Sequence, residues 1–319
     1  YFPKPLQVVS GRLHALDWTC RYLEDGLKLY AFHTLNLHTR ACTQTIATDK
    51  SYGTVRAHAL HTWKTLGIPH FLQLDNDAAF CGGYKTPRIF GQFVRLCLSL
   101  GIELIFLPVA QPEHNGEVEE LNGLWGHAFW ERRHFTSFAQ VCRTSPTFVD
   151  WYMTQYAPPF LDENTPQQAQ RHESIRRLTT KQILQLPDPL RITAGRIHFI
   201  RQVQSNGTIT LLNETWKVSK RLAGKYVWAT IIIIADAWKF GINVLLNMIG
   251  AYSKIVLMTS LKPWRGSNQN VLMLTDQQTV HDVLDPPRDK IHPEKCSRCL
   301  GPLHLTNSLP KYREFGQFL

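Results

Sequence analysis

The sequence predicts an α/β fold in which helices flank a mixed sheet, followed by a smaller all-β region. Three short β-like runs come first, and segments that alternate between helix-like and strand-like patterns follow them. From about residue 190 short β runs replace the helical patterns, and Asn206-Gly207 is a strong hairpin signal. The expected divisions are a core over 1–160, a basic linker over 161–189, a small β-barrel over 190–234 and an unassigned tail over 235–319.

The first elements read as an antiparallel meander that leads into alternating units. The apolar runs at 13–17, 27–35 and 42–46 are separated by charged or turn residues, as in linked strands. A helix follows, with Ser51 as its N-cap and Gly67 as its stop. The helices predicted for the core cover 51–66, 90–100, 115–132 and 138–156. The strands predicted after the meander cover 71–74 and 102–107.

Composition and charge favour a globular protein with a polyanionic partner. Of the 319 residues, 44% are hydrophobic and 19% are charged, which excludes a disordered or low-complexity chain. The net charge is +10, and residues 171–228 contain 11 basic side chains but only 3 acidic ones. A neutral front part followed by a basic region is typical of a catalytic region joined to one that grips a nucleic-acid backbone.

Several weaker patterns predict ordinary structural features rather than a specific function. Seven cysteines, an odd number spread along the chain, form no disulfide framework and indicate a reducing compartment. Cys296, Cys299 and His304 match three zinc ligands, but Leu309 stands at the fourth position, so free thiols are expected there. The apolar stretch 240–258 is expected to be a core helix or strand pair rather than a membrane span. Most of the scattered histidines are expected to be exposed or half-buried; they are His33, His38, His58, His61, His70, His127 and His134.

Three acids at the ends of apolar segments carry the strongest chemical signal. Asp17 and Asp75 follow two predicted strands, and Glu119 lies on a predicted helix. Buried carboxylates are costly unless they are paired or bind a metal. Two Asp on neighbouring strands and a Glu on a crossing helix could hold two divalent cations, which support in-line phosphoryl displacement. Oxygen ligands of this kind select magnesium or manganese.

Other acids near these three have more ordinary interpretations. Glu117 lies in the first helical turn, where an acid interacts favourably with the helix dipole, and Glu120 is expected to be a solvated charge. Asp77 could replace Asp75, although Asp75 directly ends the apolar run. Glu119 projects away from the apolar helix face, beside small residues that would leave room for a substrate backbone. Those neighbours are Asn122, Gly123 and Gly126.

The motifs around these acids resemble the three signature blocks of DDE transposases and retroviral integrases. They are Leu16-Asp17-Trp18-Thr19, Asp75-Asn76 and Asn115-Gly116-x-Val118-Glu119-x-x-Asn122. The resemblance, closest to the bacterial insertion-sequence type, implies an RNase H-like core in which Asp17, Asp75 and Glu119 bind two Mg²⁺ or Mn²⁺ ions. The region 190–234 is similar to the SH3-like barrel that follows this core in bacterial transposases.

The resemblance also implies an activity and partners. The expected reaction is cleavage at the end of a mobile element, then attack of the freed 3′-hydroxyl on target DNA. Expected partners are transposon-end and target DNA and further copies of this chain, in the bacterial cytoplasm at the nucleoid, with no membrane involved. An upstream helix-turn-helix, usual in relatives, is not visible in a chain that begins at Tyr1. Residues expected to contact DNA are His114, Asn115, Gly116, Asn122, Arg196, Arg201, Lys217, Lys220, Arg221 and Lys225.

Two other functions remain compatible with the sequence. A structure-selective nuclease could use the same core, although the basic region downstream argues against it. A catalytically inactive, DNA-binding remnant of a mobile element is the second alternative. Manganese-dependent nicking separates a transposase from a remnant, and strand joining separates it from a nuclease.

Overall fold

A computed structural model describes residues 12–82, 90–108, 115–236, 239–248 and 256–259, with side chains described up to residue 233. The strands are β1 (Leu13–Tyr22), β2 (Lys28–Asn36), β3 (Cys42–Ala47), β4 (Phe71–Leu74), β5 (Glu103–Phe106), β6 (Gly195–Gln202), β7 (Thr208–Leu211), β8 (Glu214–Lys217), β9 (Tyr226–Asp236), β10 (Lys239–Met248) and β11 (Val256–Thr259). The α-helices are α1 (Tyr52–Thr65), α2 (Ala78–Cys81), α3 (Gln92–Ser99), α4 (Gly116–Trp125), α5 (Phe138–Thr154), α6 (Pro166–Gln170) and α7 (Thr180–Leu184). The candidate zinc ligands and His114 lie outside the described residues.

The described strands form one large mixed sheet and a separate hairpin. The sheet has the order β11-β10-β9-β6-β5-β4-β1-β2-β3, and β7 pairs with β8. Strands β1, β2 and β3 are antiparallel neighbours, whereas β4 is parallel to β1 and β5 is parallel to β4. The central order β5-β4-β1-β2-β3 with these directions is the RNase H-like arrangement. The predicted mixed sheet flanked by helices is therefore confirmed.

Two hydrophobic clusters hold the helices against the sheet. One cluster contains Phe32 of β2 together with Trp63 of α1 and Phe93 of α3. The other contains Trp125 of α4 and Phe148 of α5, packed with residues of β1 and β2. Because both clusters include side chains of the β1–β2 pair, these two strands are covered by helices on both faces. That burial fixes the positions of the polar side chains that the same strands carry.

The ends of α1 lie where the sequence predicts them. The Ser51 hydroxyl accepts a hydrogen bond from the Thr54 backbone N–H, which caps the first turn. Gly67 follows the last turn with φ +95°, a conformation that other residues rarely adopt. A Cβ at Gly67 would also overlap the side chain of Ile175. Capping and steric crowding therefore agree with the sequence pattern at both ends.

The all-β region joins the central sheet, which differs from the separate barrel expected over 190–234. Strand β6 pairs in parallel with β5, with Leu104 opposite Ile197, and antiparallel with β9. Ile197 and Ile231 belong to the same hydrophobic cluster as the helices of the core. The physical reason is that β5 would otherwise be an unpaired sheet edge, and β6 satisfies its free backbone groups. Alternating apolar residues do not distinguish this arrangement from a small barrel.

The apolar stretch over 240–258 falls on a strand pair. Strand β10 pairs antiparallel with β9 on one side and with β11 on the other. This agrees with the expectation of a core helix or strand pair. In the described part of the chain, every helix is too short or too polar to cross a lipid bilayer.

Three histidines are fully buried, and two of them, His33 and His58, are exceptions among the seven scattered histidines, of which the other five are exposed or half-buried as expected. His14, His33 and His58 are each at most 1% exposed. Burial lowers the pKa of His14 and of His58 to about 3 and that of His33 to about 4. The His58 ring is hydrogen-bonded to the hydroxyls of Thr34 and Thr45, so it is held as a neutral imidazole.

We expect these histidines to make the fold less stable in acid. Below pH 6.5 the unfolded chain binds protons on them, whereas the folded chain does not until the pH nears 4, so stability falls with pH. Between pH 7 and pH 5, the free energy of unfolding of His58→Gln should fall by about 2 kcal/mol less than that of the wild type. Urea unfolding at each pH measures this, and parallel pH dependences for the two proteins would contradict it.

Candidate active site

Asp17 and Asp75 lie beside each other on neighbouring strands, Asp17 in the middle of β1 and Asp75 directly after the end of β4. β1 and β4 are parallel, with Leu13 opposite Phe71 and Ala15 opposite Gln73. Asp17 follows Ala15 by two residues, and Asp75 follows Gln73 by two residues, so the register places the acids side by side. Neighbouring strands are about 4.8 Å apart. The structure therefore brings the two acids to one place, as their positions after apolar runs predict.

Helix α4 crosses the sheet beside Asp17. The Asn122 side-chain amide donates a hydrogen bond to Asp17 Oδ2 at 2.9 Å. Glu119 lies three residues earlier, on the same helix face. Its charge contributes to the raised pKa of Asp17. Of the small residues near Glu119, Gly123 faces open space, whereas the space beside Gly126 is filled by the side chain of Arg21.

The electrostatics of Asp17 reflect burial among like charges. Burial is the largest cause that raises its pKa to about 7, and the carboxylates of Asp75 and Glu119 raise it further. Its hydrogen-bond donors, the Trp18 backbone N–H and the Asn122 amide, lower the pKa, but neither carries a positive charge. Asp17 is therefore a carboxyl group whose ionised form is poorly compensated by the protein.

A chain of buried hydrogen bonds fixes the orientation of Asp17. Since the Asn122 Nδ2 group donates to Asp17, its Oδ1 accepts from His33 Nδ1 at 2.6 Å. His33 Nε2 then accepts from the side-chain amide of Gln44 at 2.7 Å. His33 lies directly opposite Asp17 on β2. Sequence reasoning missed His33 and Gln44, and the signal that could have found His33 is the pairing register of the β1–β2 hairpin.

Asp75 is preferred over Asp77 as a metal ligand. The side chain of Asp77 accepts a hydrogen bond from the Ala79 N–H at the start of α2 and forms an ion pair with Lys50 at 2.6 Å. Both interactions give Asp77 a structural role. Burial raises the pKa of Asp75, while the Asp77 backbone N–H and the Lys50 charge lower it. The ambiguity between the two acids is thus reduced by what each one contacts.

Two of the residues predicted to contact DNA form hydrogen bonds within the protein instead. Asn122 is 9% exposed and bonds to Asp17 and His33. Asn115 is 4% exposed, and its side-chain oxygen accepts a hydrogen bond from the Gln73 amide. Gly116 is exposed and has open space beside its Cα. Gly116 therefore remains compatible with a DNA contact, whereas the two asparagines act within the protein.

The six basic candidates fall into two groups. Arg196 lies near Glu103, with 3.9 Å between Nη1 and Oε1, and Arg201 donates hydrogen bonds to backbone carbonyls. Four others are exposed on or beside the β7–β8 hairpin. They are Lys217, Lys220, Arg221 and Lys225.

The donor chemistry at this edge fits a hard divalent cation. Three carboxylates could supply oxygen ligands, and a cation would relieve their mutual repulsion around Asp17. Within residues 12–82, 90–108 and 115–233, however, no three His, Cys, Asp or Glu side chains already stand in an arrangement that could hold one metal ion. Binding would therefore require the carboxylates to turn towards the ion from their present positions.

Comparisons with known proteins give structural likeness without a sequence family. No family model matches the chain, and no curated protein matches it. The catalytic core of HTLV-2 integrase, solved with magnesium, aligns with 16% identity over 51% of this chain and 97% of that one, with a TM-score of 0.38. The simian T-cell lymphotropic virus intasome, in complex with PP2A regulatory subunit B56 gamma, aligns with 13% identity over 83% and 84%, with a TM-score of 0.44. The BIV integrase core aligns with 14% identity over 50% and 92%, with a TM-score of 0.36.

Replacing the buried acid of β1 should stabilise the metal-free protein. Because the pKa of Asp17 is raised to about 7, its contribution to stability is lost as the pH rises from its unfolded value towards 7. Asp17→Asn keeps an acceptor for Asn122 and should raise the free energy of unfolding by about 2 kcal/mol at pH 8, and by less at pH 5. Urea unfolding in EDTA measures both values.

Asp150→Asn is the matched control, since it removes an exposed carboxylate of α5 and should change stability little at either pH. A lower free energy of unfolding for Asp17→Asn than for the wild type at pH 8 would contradict the description of Asp17 as a poorly compensated carboxylate.

Proposed function

We propose that this chain is a metal-dependent DNA strand transferase of the DDE type, which cleaves DNA at the end of a mobile element and joins the freed 3′-hydroxyl to target DNA. The observation that carries the proposal is the grouping of three acids: Asp75 lies beside Asp17 in the register of β1 and β4, and Asn122, three residues after Glu119 on α4, donates a hydrogen bond to Asp17. The mutual effect of these acids on the pKa of Asp17 supports it, since acids that perturb one another are typical of catalytic sites. The RNase H-like order of β1–β5 also supports the proposal.

Asp17, Asp75 and Glu119 would hold two Mg²⁺ or Mn²⁺ ions. When bound, such ions would activate the attacking oxygen and neutralise charge on the scissile phosphate and the leaving oxygen. The protein's own contribution is to keep the three acids near one another and to orient them. Asn122, held by His33 and Gln44, points one oxygen of Asp17 in a fixed direction. Lys50 lowers the pKa of Asp75 and so favours its ionised form.

The exposed basic group around β7–β8 is proposed to bind the phosphate backbone of DNA. Lys217 ends β8, and Lys220, Arg221 and Lys225 lie in the exposed connection between β8 and β9. Long cationic side chains on such a surface suit contacts that do not depend on DNA sequence. Gly116 at the start of α4 would let a DNA strand approach the acids closely. We further propose that several copies act together, since two DNA ends must be joined, and that they work in the bacterial cytoplasm at the nucleoid.

Removing any one of the three acids should abolish catalysis and leave DNA binding intact. Asp17→Asn, Asp75→Asn and Glu119→Gln should each reduce Mn²⁺-dependent nicking of supercoiled plasmid by at least about a thousandfold, since each removes a metal ligand. Glu120→Gln is the control, because Glu120 is the exposed neighbour of Glu119 on α4. Binding of a fluorescent duplex should be unchanged in all four variants.

The outcomes separate the alternative functions. Nicking retained after any of the three substitutions would refute the site. No nicking by the wild-type protein with either Mg²⁺ or Mn²⁺ would instead favour the inactive remnant. Duplexes taken from the DNA that flanks the gene should be joined to plasmid as well as cut, and cutting without joining would favour a nuclease.

Neutralising the exposed basic group should weaken DNA binding and reduce its dependence on salt. Each phosphate contact that is lost lowers the slope of log affinity against log salt by about 0.9. Changing Lys217, Lys220, Arg221 and Lys225 to Gln together should therefore lower the slope by about 3 to 4. Anisotropy titrations from about 50 to 300 mM KCl measure the slope, and an unchanged slope would exclude this surface.

A further inference from the structure

Arg201 of β6 reaches the ends of the two strands that lead to the acidic edge. Its Nη1 group donates to the carbonyl oxygen of Leu107 at 2.9 Å and, less closely, to that of Phe106 at 3.4 Å. Its Nη2 group donates to Asn76 Oδ1 at 2.6 Å. Asn76 lies between Asp75 and Asp77, so the guanidinium contacts the residue directly after a proposed metal ligand.

These hydrogen bonds extend the contact of β6 beyond its pairing with β5, to the residue that follows Asp75. Asn76 Nδ2 also donates to the Leu107 carbonyl, which closes a small network around the end of β5. The guanidinium lies over the Phe199 ring at 5.0 Å, and its Nε donates to the Thr210 carbonyl at 3.3 Å. A planar group with five donors suits such a site, and lysine could not reproduce its geometry.

We propose that Arg201 is a positioning residue for Asp75, so that β6 is part of the catalytic unit rather than of a separate DNA-binding domain. The inference rests on the proposed function, because it concerns the same metal-binding acid. Arg201 was expected from the sequence to contact DNA, and its contacts with Asn76, Phe106 and Leu107 assign it this other role.

The effect is transmitted through the backbone rather than through charge. The groups that lower the pKa of Asp75 are the Asp77 N–H and Lys50. Arg201 instead holds the side chain that follows Asp75 against the end of the parallel neighbour β5. Residues that orient metal ligands in this way commonly change metal affinity by about 10- to 100-fold when they are removed.

Manganese binding to the full chain, measured by isothermal titration calorimetry at pH 8, tests the proposal without requiring turnover. Arg201→Ala, Arg201→Lys and Asn76→Ala should each weaken Mn²⁺ binding by about tenfold, and Arg201→Ala/Asn76→Ala should be no weaker than the weaker single variant. Millimolar methylguanidinium should restore affinity to Arg201→Ala. Simple structural weakening would show no such rescue.

Arg95→Ala is the matched control, because Arg95 is also partly buried and donates to two backbone carbonyls, those of Phe90 and Leu190. It should bind Mn²⁺ as the wild type does. If Arg201→Ala does not fold, Arg201→Lys and Asn76→Ala decide the question.

Unchanged Mn²⁺ affinity in folded Arg201 and Asn76 variants would overturn this inference, even if Asp75→Asn loses Mn²⁺ binding as the proposed function requires. Absence of Mn²⁺ binding by the wild-type protein would defeat both the proposed function and the inference built on it.

Discussion

The burial of Asp17 in the middle of β1, beside two other carboxylates, is the constraint on which the rest of this site depends. Asp17 is held in a largely buried position where the charges of Asp75 and Glu119 both disfavour its ionisation. Unfavourable arrangements of this kind persist only where the surrounding structure over-determines them. Here the surroundings are two hydrophobic clusters that cover β1 and β2 on both faces, so the backbone under Asp17 cannot relax away.

The polar residues around Asp17 form a chain of hydrogen bonds that holds it in place. Asn122 satisfies one carboxylate oxygen with a neutral donor, and His33 and Gln44 satisfy Asn122 in turn. These hydrogen bonds orient Asp17 without adding positive charge. The cost of ionising Asp17 would then be relieved by an added cation. On the other flank, Arg201 joins Asn76 to the end of β5 and brings β6 into the same unit. Both sets of contacts therefore fix the positions of the acids, while the charge of Asp17 stays poorly compensated.

Much of the fold could be predicted from the sequence because local signals agree with the packing. The apolar run before Asp75 marks β4, and Ser51 and Gly67 mark both ends of α1. The run over 13–17 marks only the first half of β1, which continues past Asp17 to Tyr22. The partner of β6 could not be predicted, because alternating apolar residues such as Ile197 and Phe199 fit a barrel and a sheet equally well. The candidate acids could be chosen from their positions next to apolar segments, whereas the side-chain contacts around them could not be predicted.

The parts of the site that escaped prediction depend on pairing between distant segments. His33 interacts with Asn122 across 89 positions of the chain, so its role needs both the hairpin register and the docking of α4. Arg201 reads as one basic residue among many until β6 is placed beside β5. A single sequence contains the residues of such contacts but not their geometry.

The central claim is that Asp17, Asp75 and Glu119 together bind divalent cations. Crystals of the protein grown or soaked in Mn²⁺ and measured near the manganese absorption edge test it most directly. The account predicts anomalous difference peaks within about 2.2 Å of carboxylate oxygens of Asp17 and Asp75, with Glu119 turned towards one of them. Crystals that take up Mn²⁺ elsewhere, while these three carboxylates stay apart and unliganded, would contradict it.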